Sequence, residues 1–351
     1  MKFNICLYLL LVVNLSFYSC KSDEGDDPKP VNDTVYVDVL DTVYIDKVVK
    51  GWIARTGMSK VRSGHVAFSI GERGFITTGI SGSIQAGGEY LADLWEYNAE
   101  TDTWSQKANF PGTPRRGASA FVLNNMAYVG LGFQSNGSTS ARYGDIWTYD
   151  MGTNVWTQKS NFNGGPRDAA VSFVVGGKAY IASGFGLSPL GDVWEYDETN
   201  DNWIEKSAFS GPDRQGATSF VLRDTAYIAG GGTCCGLSSE YFNDLWAYDQ
   251  TNDTWIEKAP FPADGRSRLI SFAVQDNGYI GLGSTSGSSS FYSDLWKFDN
   301  TTNSWGAAME FPGVGRTQTA AFVIGGSAFV GCGLETSGGL GLNDFYEYIP
   351  E

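Results

Sequence analysis

Apolar and polar residues alternate along this chain in short runs, and turn-forming residues separate the runs. "SFVVGGKAYIASG" (172–184) predicts two strands joined by a Gly-Gly hairpin. "WEYDETNDNW" (194–203) predicts two further strands joined by a polar turn. No window has the period of an amphipathic helix. The pattern therefore predicts an all-β protein built from short antiparallel strands.

The same pattern recurs about every fifty residues. Six Trp residues mark the repeats. An Arg follows each of these Trp residues after ten or eleven residues, and a Phe follows each Arg after six. An Asp then opens a "D-x-W/Y" stretch near the end of the repeat. The Trp residues are Trp52, Trp104, Trp156, Trp203, Trp255 and Trp305; the Arg residues are Arg62, Arg115, Arg167, Arg214, Arg266 and Arg316; the Asp residues are Asp93, Asp145, Asp192, Asp244, Asp294 and Asp344.

A period near fifty with four strands per repeat predicts a β-propeller. A lone four-stranded sheet with aromatics on both faces cannot bury them, whereas sheets stacked around an axis bury both faces. The Gly doublets, the aromatic of the third strand and the Trp of the fourth resemble kelch repeats over residues 52–349. The resemblance implies a six-bladed kelch-type propeller of four-stranded antiparallel blades.

The two ends of the repeat array predict how the ring closes. Trp52 marks a fourth strand with no earlier strands before it, and the last repeat lacks a fourth strand. A ring without exposed edges requires that the strand at Gly51–Ala54 completes the final blade by pairing with Phe345–Ile349. Residues 51–351 are thus predicted to be one domain.

The first fifty residues have a different character. Lys2 and an apolar run predict an export signal over residues 1–19, and the residues up to Cys20 resemble the lipobox of bacterial lipoproteins. That resemblance implies lipidation of Cys20, and ordinary secretion is the alternative. Residues 20–50 predict a flexible tether. Its "KSDEGDDPKP" tract resembles those of surface-exposed outer-membrane lipoproteins, which implies the same location and membrane contact only through the lipid.

The composition of the chain limits the classes of partner that it can bind. The chain has 351 residues and a formal net charge of −15. An acidic surface repels phosphate backbones, which argues against nucleic acid. We expect a monomer. The chain has one histidine, His65, so the resemblance to kelch copper oxidases does not extend to their metal site. No cofactor and no metal are predicted.

Strand direction places the ligand face. In each blade the loop after the second strand and the loop before the first emerge on the same side, and the long Ser/Gly-rich loops lie there. Arginines at the start of the first strands are predicted to form an anion trap at the channel mouth. The alternative is that each repeated Arg bonds carbonyls or acids of the scaffold. The predicted ligand-binding residues are the six repeated arginines, Arg116 and Arg268, which break the pattern, and Tyr90, Tyr143, Tyr241 and Tyr292.

Other residue types on this face suggest further chemistry. Glu89, Glu240 and Glu335 are candidate catalytic acids, and Glu89 and Glu335 come from blades that become neighbours once the ring closes. Six-bladed kelch proteins that interconvert anomers of N-acetylneuraminate are similar in fold.

The adjacent Cys234 and Cys235 either form a vicinal disulfide or remain free thiols. The repeated Asp is expected to accept backbone N–H bonds, and turns such as "DQTND" are expected to be tight turns rather than calcium loops.

Three functions remain open on this sequence. The first is a surface-displayed, non-enzymatic recognition module for a glycan, possibly acidic, or a protein segment. The second is an enzyme acting on an acidic sugar, such as an N-acetylneuraminate mutarotase or epimerase. The third is a structural component of an envelope complex.

Overall fold

Six antiparallel sheets of four strands make up the described part of the chain. The structure is a computed structural model that describes residues 50–82, 88–233, 239–285, 291–336 and 339–350, and Lys50–Glu351 form one compact unit. The predictions for the signal, Cys20 and the tether up to residue 49, and for Cys234 and Cys235, lie outside the described residues. We name the strands of each blade a, b, c and d from the axis outward.

The strands follow the sequence pattern closely. Blade 1 contains β2 (Val66–Ile70), β3 (Arg73–Thr77), β6 (Leu94–Asn98) and β7 (Thr103–Lys107). Blade 2 contains β8 (Ser119–Leu123), β9 (Met126–Gly130), β12 (Ile146–Asp150) and β13 (Val155–Lys159). Blade 3 contains β14 (Val171–Val175), β15 (Lys178–Ala182), β16 (Val193–Asp197) and β17 (Asn202–Lys206).

Blades 4 to 6 repeat the same plan. Blade 4 contains β18 (Thr218–Leu222), β19 (Thr225–Ala229), β20 (Leu245–Asp249) and β21 (Thr254–Lys258). Blade 5 contains β22 (Ile270–Val274), β23 (Asn277–Gly281), β24 (Leu295–Asp299) and β25 (Ser304–Ala307). Blade 6 contains β26 (Ala320–Ile324), β27 (Ser327–Gly331), β28 (Phe345–Ile349) and, as its d strand, β1 (Gly51–Arg55).

Two short β-ribbons extend the b–c loops of the first two blades. β4 (Ile80–Ser81) pairs with β5 (Glu89–Tyr90) in blade 1. β10 (Phe133–Ser135) pairs with β11 (Ser140–Arg142) in blade 2. The two ribbons touch where the backbone N–H of Ser135 donates to the Tyr90 hydroxyl, 3.1 Å apart.

Each a strand is buried on both faces because it lies between two neighbouring blades. In β2, Phe68 packs towards blade 2 together with Tyr149, while the adjacent Ala67 packs against the Phe322 and Phe329 side of blade 6. The a strands of successive blades contact each other around the whole ring, so they line a central axis. Successive side chains of an a strand point to opposite faces, and each face packs against a different neighbouring blade. The alternation in the sequence therefore reflects two interfaces between blades, rather than one face towards a core and one towards solvent.

The ring closes where the two ends of the array meet. β1 pairs antiparallel with β28, with Trp52 opposite Tyr348. The Arg55 guanidinium reaches across this seam to Glu347, and both side chains are about nine-tenths buried (10% and 9% exposed). The predicted six-bladed ring with an N-terminal d strand in the last blade is confirmed.

Hydrogen bonds from the c–d turns of blades 1 to 5 tie each of these blades to the preceding one. In blade 4, Asp253 accepts the Tyr248 hydroxyl and the backbone N–H of Ser207 at the end of the previous d strand. Asp249 in the same turn accepts backbone N–H groups of Thr251 and Asn252. "DQTND" is therefore a tight turn, as predicted, and its last Asp also bonds the neighbouring blade, which was not predicted.

The loops sort onto two faces. The d–a and b–c loops emerge on one side, which we call the ligand face, and the a–b and c–d turns lie on the other. A surface cavity of about 460 Å³ lies on the turn side, beside Glu72, Arg73 and Glu100. It contains none of the predicted ligand residues. Within the described ranges, no helix has the length and apolar character needed to cross a bilayer.

Candidate functional site

The six repeated arginines are buried inside the blades. Each guanidinium forms a two-pronged ion pair with the repeated Asp of its own blade and donates to the carbonyl of the residue just after strand b, as Arg214 does to Asp244 and Gly230. The arginine side chains are 0–1% exposed: the pairs are Arg62–Asp93, Arg115–Asp145, Arg167–Asp192, Arg214–Asp244, Arg266–Asp294 and Arg316–Asp344.

This placement corrects two expectations. Side chains with almost no exposed surface cannot contact a ligand in the channel, so the six repeated arginines are scaffold and not an anion trap. The repeated Asp accepts side-chain donors rather than backbone N–H groups, since Asp244 bonds both Arg214 and the Trp246 indole. The paired charges hold strand c against the start of strand a, which explains why Arg and Asp recur together.

Two of the predicted tyrosines belong to the same scaffold. The Tyr143 ring lies 4.0 Å from the Arg115 guanidinium carbon, and the Tyr292 ring lies 3.4 Å from that of Arg266. Both rings are half-buried. A planar guanidinium stacks favourably on an aromatic face, so these tyrosines cover the buried ion pairs on the ligand face.

A belt of backbone hydrogen bonds surrounds the axis at the channel mouth. In every blade the residue two positions after the repeated Arg has a positive φ, between 53° and 62°. Its N–H donates to the carbonyl of the equivalent residue in the preceding blade, with N···O distances of 2.6–2.9 Å at five junctions. The belt runs through Gly64, Gly117, Ala169, Gly216, Arg268 and Gln318.

The channel mouth is where the blades differ most. The residue just after the repeated Arg bridges to the end of strand b, and its identity changes from blade to blade. In blade order these residues are Ser63, Arg116, Asp168, Gln215, Ser267 and Thr317. Together with the belt they form two rings of side chains, which we call the mouth rings. A symmetric scaffold that carries different side chains at equivalent positions offers an asymmetric binding surface.

Arg116 and Arg268 both belong to the mouth rings and interact electrostatically across the mouth. They come from blades 2 and 5, on opposite sides of a six-membered ring. The Arg116 side chain lies over Gly64, where its Cβ and Cδ are 3.2 and 3.8 Å from the position a Cβ would occupy. Arg268 keeps exposed surface on the channel side.

The two guanidiniums influence each other. The Arg268 side chain reaches solvent, but the surrounding blades crowd it and reduce its hydration, which is the first cause that lowers its pKa; the positive charge of Arg116 is the second. Asp168 and Tyr241 oppose this lowering. Within the described ranges neither Arg116 nor Arg268 has a carboxylate partner within ion-pair distance. The arrangement is a pair of like charges that form no ion pair among these residues, with the Asp168 carboxylate acting on Arg268 from a distance.

A second group borders the mouth, and two of its members, Arg142 and Asp168, were missed in the sequence. Arg142 of β11 donates its Nε to Asp168 Oδ1 at 2.5 Å. Its guanidinium carbon lies 5.2 Å from the Phe133 ring and 4.4 Å from the Phe185 ring. Arg116 lies over the other part of this wall, 5.6 Å from Phe133. Asp168, like Arg116, directly follows the repeated Arg of its blade. This departure from the repeat could have identified Asp168 from the sequence.

The candidate catalytic acids are not brought together. Glu89 is exposed and forms an ion pair with Lys60 at 2.6 Å. Glu240 and Glu335 are exposed on their own loops. Tyr90 accepts the Ser135 N–H that joins the two ribbons. Tyr241 is half-buried beside the mouth and acts electrostatically on Arg268.

Two reactive residue types are inert in their surroundings. His65 is buried, and burial followed by the charge of Arg62 lowers its pKa to about 3. It is a core histidine, and neither ring nitrogen has a hydrogen-bond partner among the described residues. Burial raises the pKa of the Cys332 thiol to about 12, so this cysteine stays protonated.

Comparisons with known proteins agree with this architecture. The family model of the KLHDC2/KLHL20/DRC7 Kelch-repeats domain matches residues 23–184. The solved structure of YjhT is similar with a TM-score of 0.70 and 17% identity, covering 83% of this chain and 95% of that one. The chain therefore has the fold of a six-bladed β-propeller, and residues 23–184 are similar to Kelch repeats.

Similar sequences are matched over short stretches. N-acetylneuraminate epimerase of Escherichia coli O157:H7 is 34% identical over 91 residues, which is 25% of this chain and 24% of the relative. Kelch-like protein 34 of Homo sapiens is 31% identical over 109 residues, 30% of this chain and 16% of the relative. The matched segment thus spans a quarter or less of these relatives' own length.

Proposed function

We propose that this propeller is a recognition module that binds a carboxylate-bearing ligand, an acidic glycan or an acidic protein segment, at the mouth of its channel. The observation that carries the proposal is the pair Arg116 and Arg268, which repel each other across the mouth and form no ion pair with any described residue. A bound carboxylate would relieve their mutual repulsion and supply the acceptors that two guanidiniums lack.

The charge distribution supports a specific site over general attraction. The chain carries a formal net charge of −15, so its long-range field repels anions. An anion therefore gains favourable electrostatic energy only once it enters the mouth, where the positive charges of Arg116 and Arg268 act on each other. Half-buried Phe133 and Phe185 beside the mouth add apolar faces on which a sugar ring can stack.

Binding of sialylated and uronate-bearing glycans by the full chain in detergent, on a glycan array and then by calorimetry, tests the proposal. Arg116→Ala and Arg268→Ala are each expected to weaken binding at least tenfold. Arg223→Ala is the matched control, because Arg223 is 56% exposed, pairs with Asp276 and lies on the turn side. Unchanged binding in both mouth variants, or no binding to any acidic glycan or peptide, contradicts the proposal.

The second candidate is an enzyme acting on an acidic sugar. It is favoured by the names of the matched N-acetylneuraminate epimerases and by a carboxylate in the mouth rings, Asp168, which acts electrostatically on Arg268. Proton NMR of anomer exchange in N-acetylneuraminate separates the two functions. Exchange accelerated by the wild type, and slowed by Asp168→Asn, Glu89→Gln or Glu335→Gln, would replace the recognition module by an enzyme.

We also propose that the module is displayed from a bacterial outer membrane through lipid on Cys20. The support is the sequence of residues 2–20 and the acidic tract that follows. Cys20→Ser is expected to move the protein from the membrane fraction to the soluble fraction. Retention of Cys20→Ser in the membrane fraction would contradict a lipid anchor at this residue.

A further inference from the structure

Asp168 is the single carboxylate in the mouth rings, all twelve positions of which are described. Its Oδ1 accepts the Arg142 Nε at 2.5 Å. Its Oδ2 has no hydrogen bond to a described residue. Oδ2 lies 3.6 Å from the position that a Cβ on Gly117 would occupy, so the oxygen faces the belt at a residue without a side chain. The side chain is 17% exposed.

Arg142 fixes this carboxylate from one side only. The guanidinium also packs against the Phe133 and Phe185 rings. The remaining lone pairs of Asp168 are left for another donor. Asp168 also acts on Arg268, whose pKa it raises, without forming an ion pair with it. An acceptor and two cations therefore share the mouth.

We infer that Asp168 is a specificity-determining residue that accepts a hydrogen bond from a hydroxyl or amide N–H of the ligand while Arg116 and Arg268 bind the ligand's carboxylate. This inference rests on the proposed function. It defines the ligand class as an acid that carries hydrogen-bond donors close to its carboxylate, which describes sugar acids. A free carboxylate oxygen repels an anion without donors and attracts one that can donate.

Two probes of equal charge test this discrimination. N-acetylneuraminate carries several donors around its ring, and cyclohexanecarboxylate carries a carboxylate on a ring without donors. Calorimetry with the full wild-type chain is expected to show at least tenfold tighter binding of N-acetylneuraminate. In Asp168→Asn the amide NH₂ faces the ligand, because the Arg142 donor retains the oxygen. A hydrogen bond to a charged acceptor is then lost, and N-acetylneuraminate is expected to bind about 10–100-fold more weakly.

The second probe, cyclohexanecarboxylate, distinguishes recognition of the ligand's hydrogen-bond donors from recognition of a ring that carries a carboxylate. Cyclohexanecarboxylate is expected to bind Asp168→Asn as well as or better than wild type, because a negative charge has been removed. Asp168→Glu keeps the charge and is expected to restore part of the preference. Asp213→Asn removes the same charge from an exposed position on the ligand face and should behave as wild type. Circular dichroism and thermal unfolding establish that each variant is folded.

Each outcome bears on one of the two proposals. Equal loss of both probes in Asp168→Asn, or an unchanged preference, overturns the role of Asp168 and leaves the proposed function standing. Unchanged binding of both probes in Arg116→Ala and Arg268→Ala overturns the proposed function. If neither probe binds the wild type, the inference about Asp168 and sugar acids fails, whereas the proposed function is decided by the glycan-array and peptide-binding tests.

Discussion

Trp52 lies opposite Tyr348 in the antiparallel seam of blade 6, with ring centroids 4.9 Å apart. The Trp52 indole also stacks edge-on against Phe311 at 5.0 Å and donates to the Met309 carbonyl. One residue at the start of the propeller thus anchors the far end of the chain. The seam is the one junction within a blade that joins distant segments, so it is where ring stability depends on a non-local contact.

Trp52→Ala is expected to destabilise the protein by about 2–4 kcal/mol, because it removes a large aromatic contact and a hydrogen bond. Urea unfolding followed by fluorescence measures the change. Ile204→Ala, at an outward position that is 45% exposed, is the control and should cost well under 1 kcal/mol. A similar loss in both variants would show that the seam is not a special point of the ring.

Arg214→Ala is expected to cost about 3 kcal/mol or more, because it leaves Asp244 without its buried partner. Arg223→Ala breaks an ion pair whose side chains are 56% and 66% exposed, and it should cost less than about 1 kcal/mol. Chemical denaturation of the two single variants gives both values. Equal costs would contradict a structural role for the repeated Arg–Asp pair.

His65 is expected to make stability depend on pH. Its pKa is about 3 in the folded state and about 6.5 when unfolded, so below pH 6.5 the unfolded chain binds a proton that the folded chain does not. This contribution is full above pH 6.5 and declines as the pH falls towards 3. The unfolding free energy should be about 2 kcal/mol lower at pH 5 than at pH 7 from this group.

His65→Leu tests this pH dependence, because Leu269 occupies the equivalent position in blade 5. The variant should unfold with nearly the same free energy at pH 5 and pH 7. At pH 7 it should be at least as stable as wild type, since two unpaired buried nitrogens are removed. An imidazole NMR resonance that titrates near pH 6.5 in the folded protein would refute the prediction.

Arg268→Gly is expected to increase stability while it abolishes ligand binding. Arg268 has a φ of 57°, and Gly64, Gly117 and Gly216 occupy this belt position in three other blades. Glycine relieves the left-handed strain and the repulsion from Arg116, and its greater freedom when unfolded offsets part of this. A net gain of about 0.5–1 kcal/mol is expected.

Ala169→Gly is the matched variant for the belt, since Ala169 has a φ of 53° and no charge. Thermal unfolding and calorimetry should show unchanged stability or a small gain, with binding retained. A substantial loss of stability in Arg268→Gly would mean that the arginine serves the scaffold and not the ligand.

The sequence by itself determined the propeller. Fixed spacings of Trp, Arg, Phe and Asp specify six equivalent blades, because each blade must bury the same aromatics against its neighbours. Even the seam at Trp52 followed from the missing strand of the last repeat. The sequence alone also reveals Arg116 and Arg268, since a residue that departs from a repeat can be recognised without any geometry.

Only the tertiary structure decided which polar residues face the channel. Arg115 and Arg116 are adjacent in sequence, yet the first is buried with Asp145 and the second lies over Gly64 of the neighbouring blade. Asp168 meets Arg142 only because the β10–β11 ribbon folds back over blade 3. The repeated residues specify the contacts that every blade shares. A site at the axis is instead assembled from single side chains of different blades, and these side chains come together only when the ring closes.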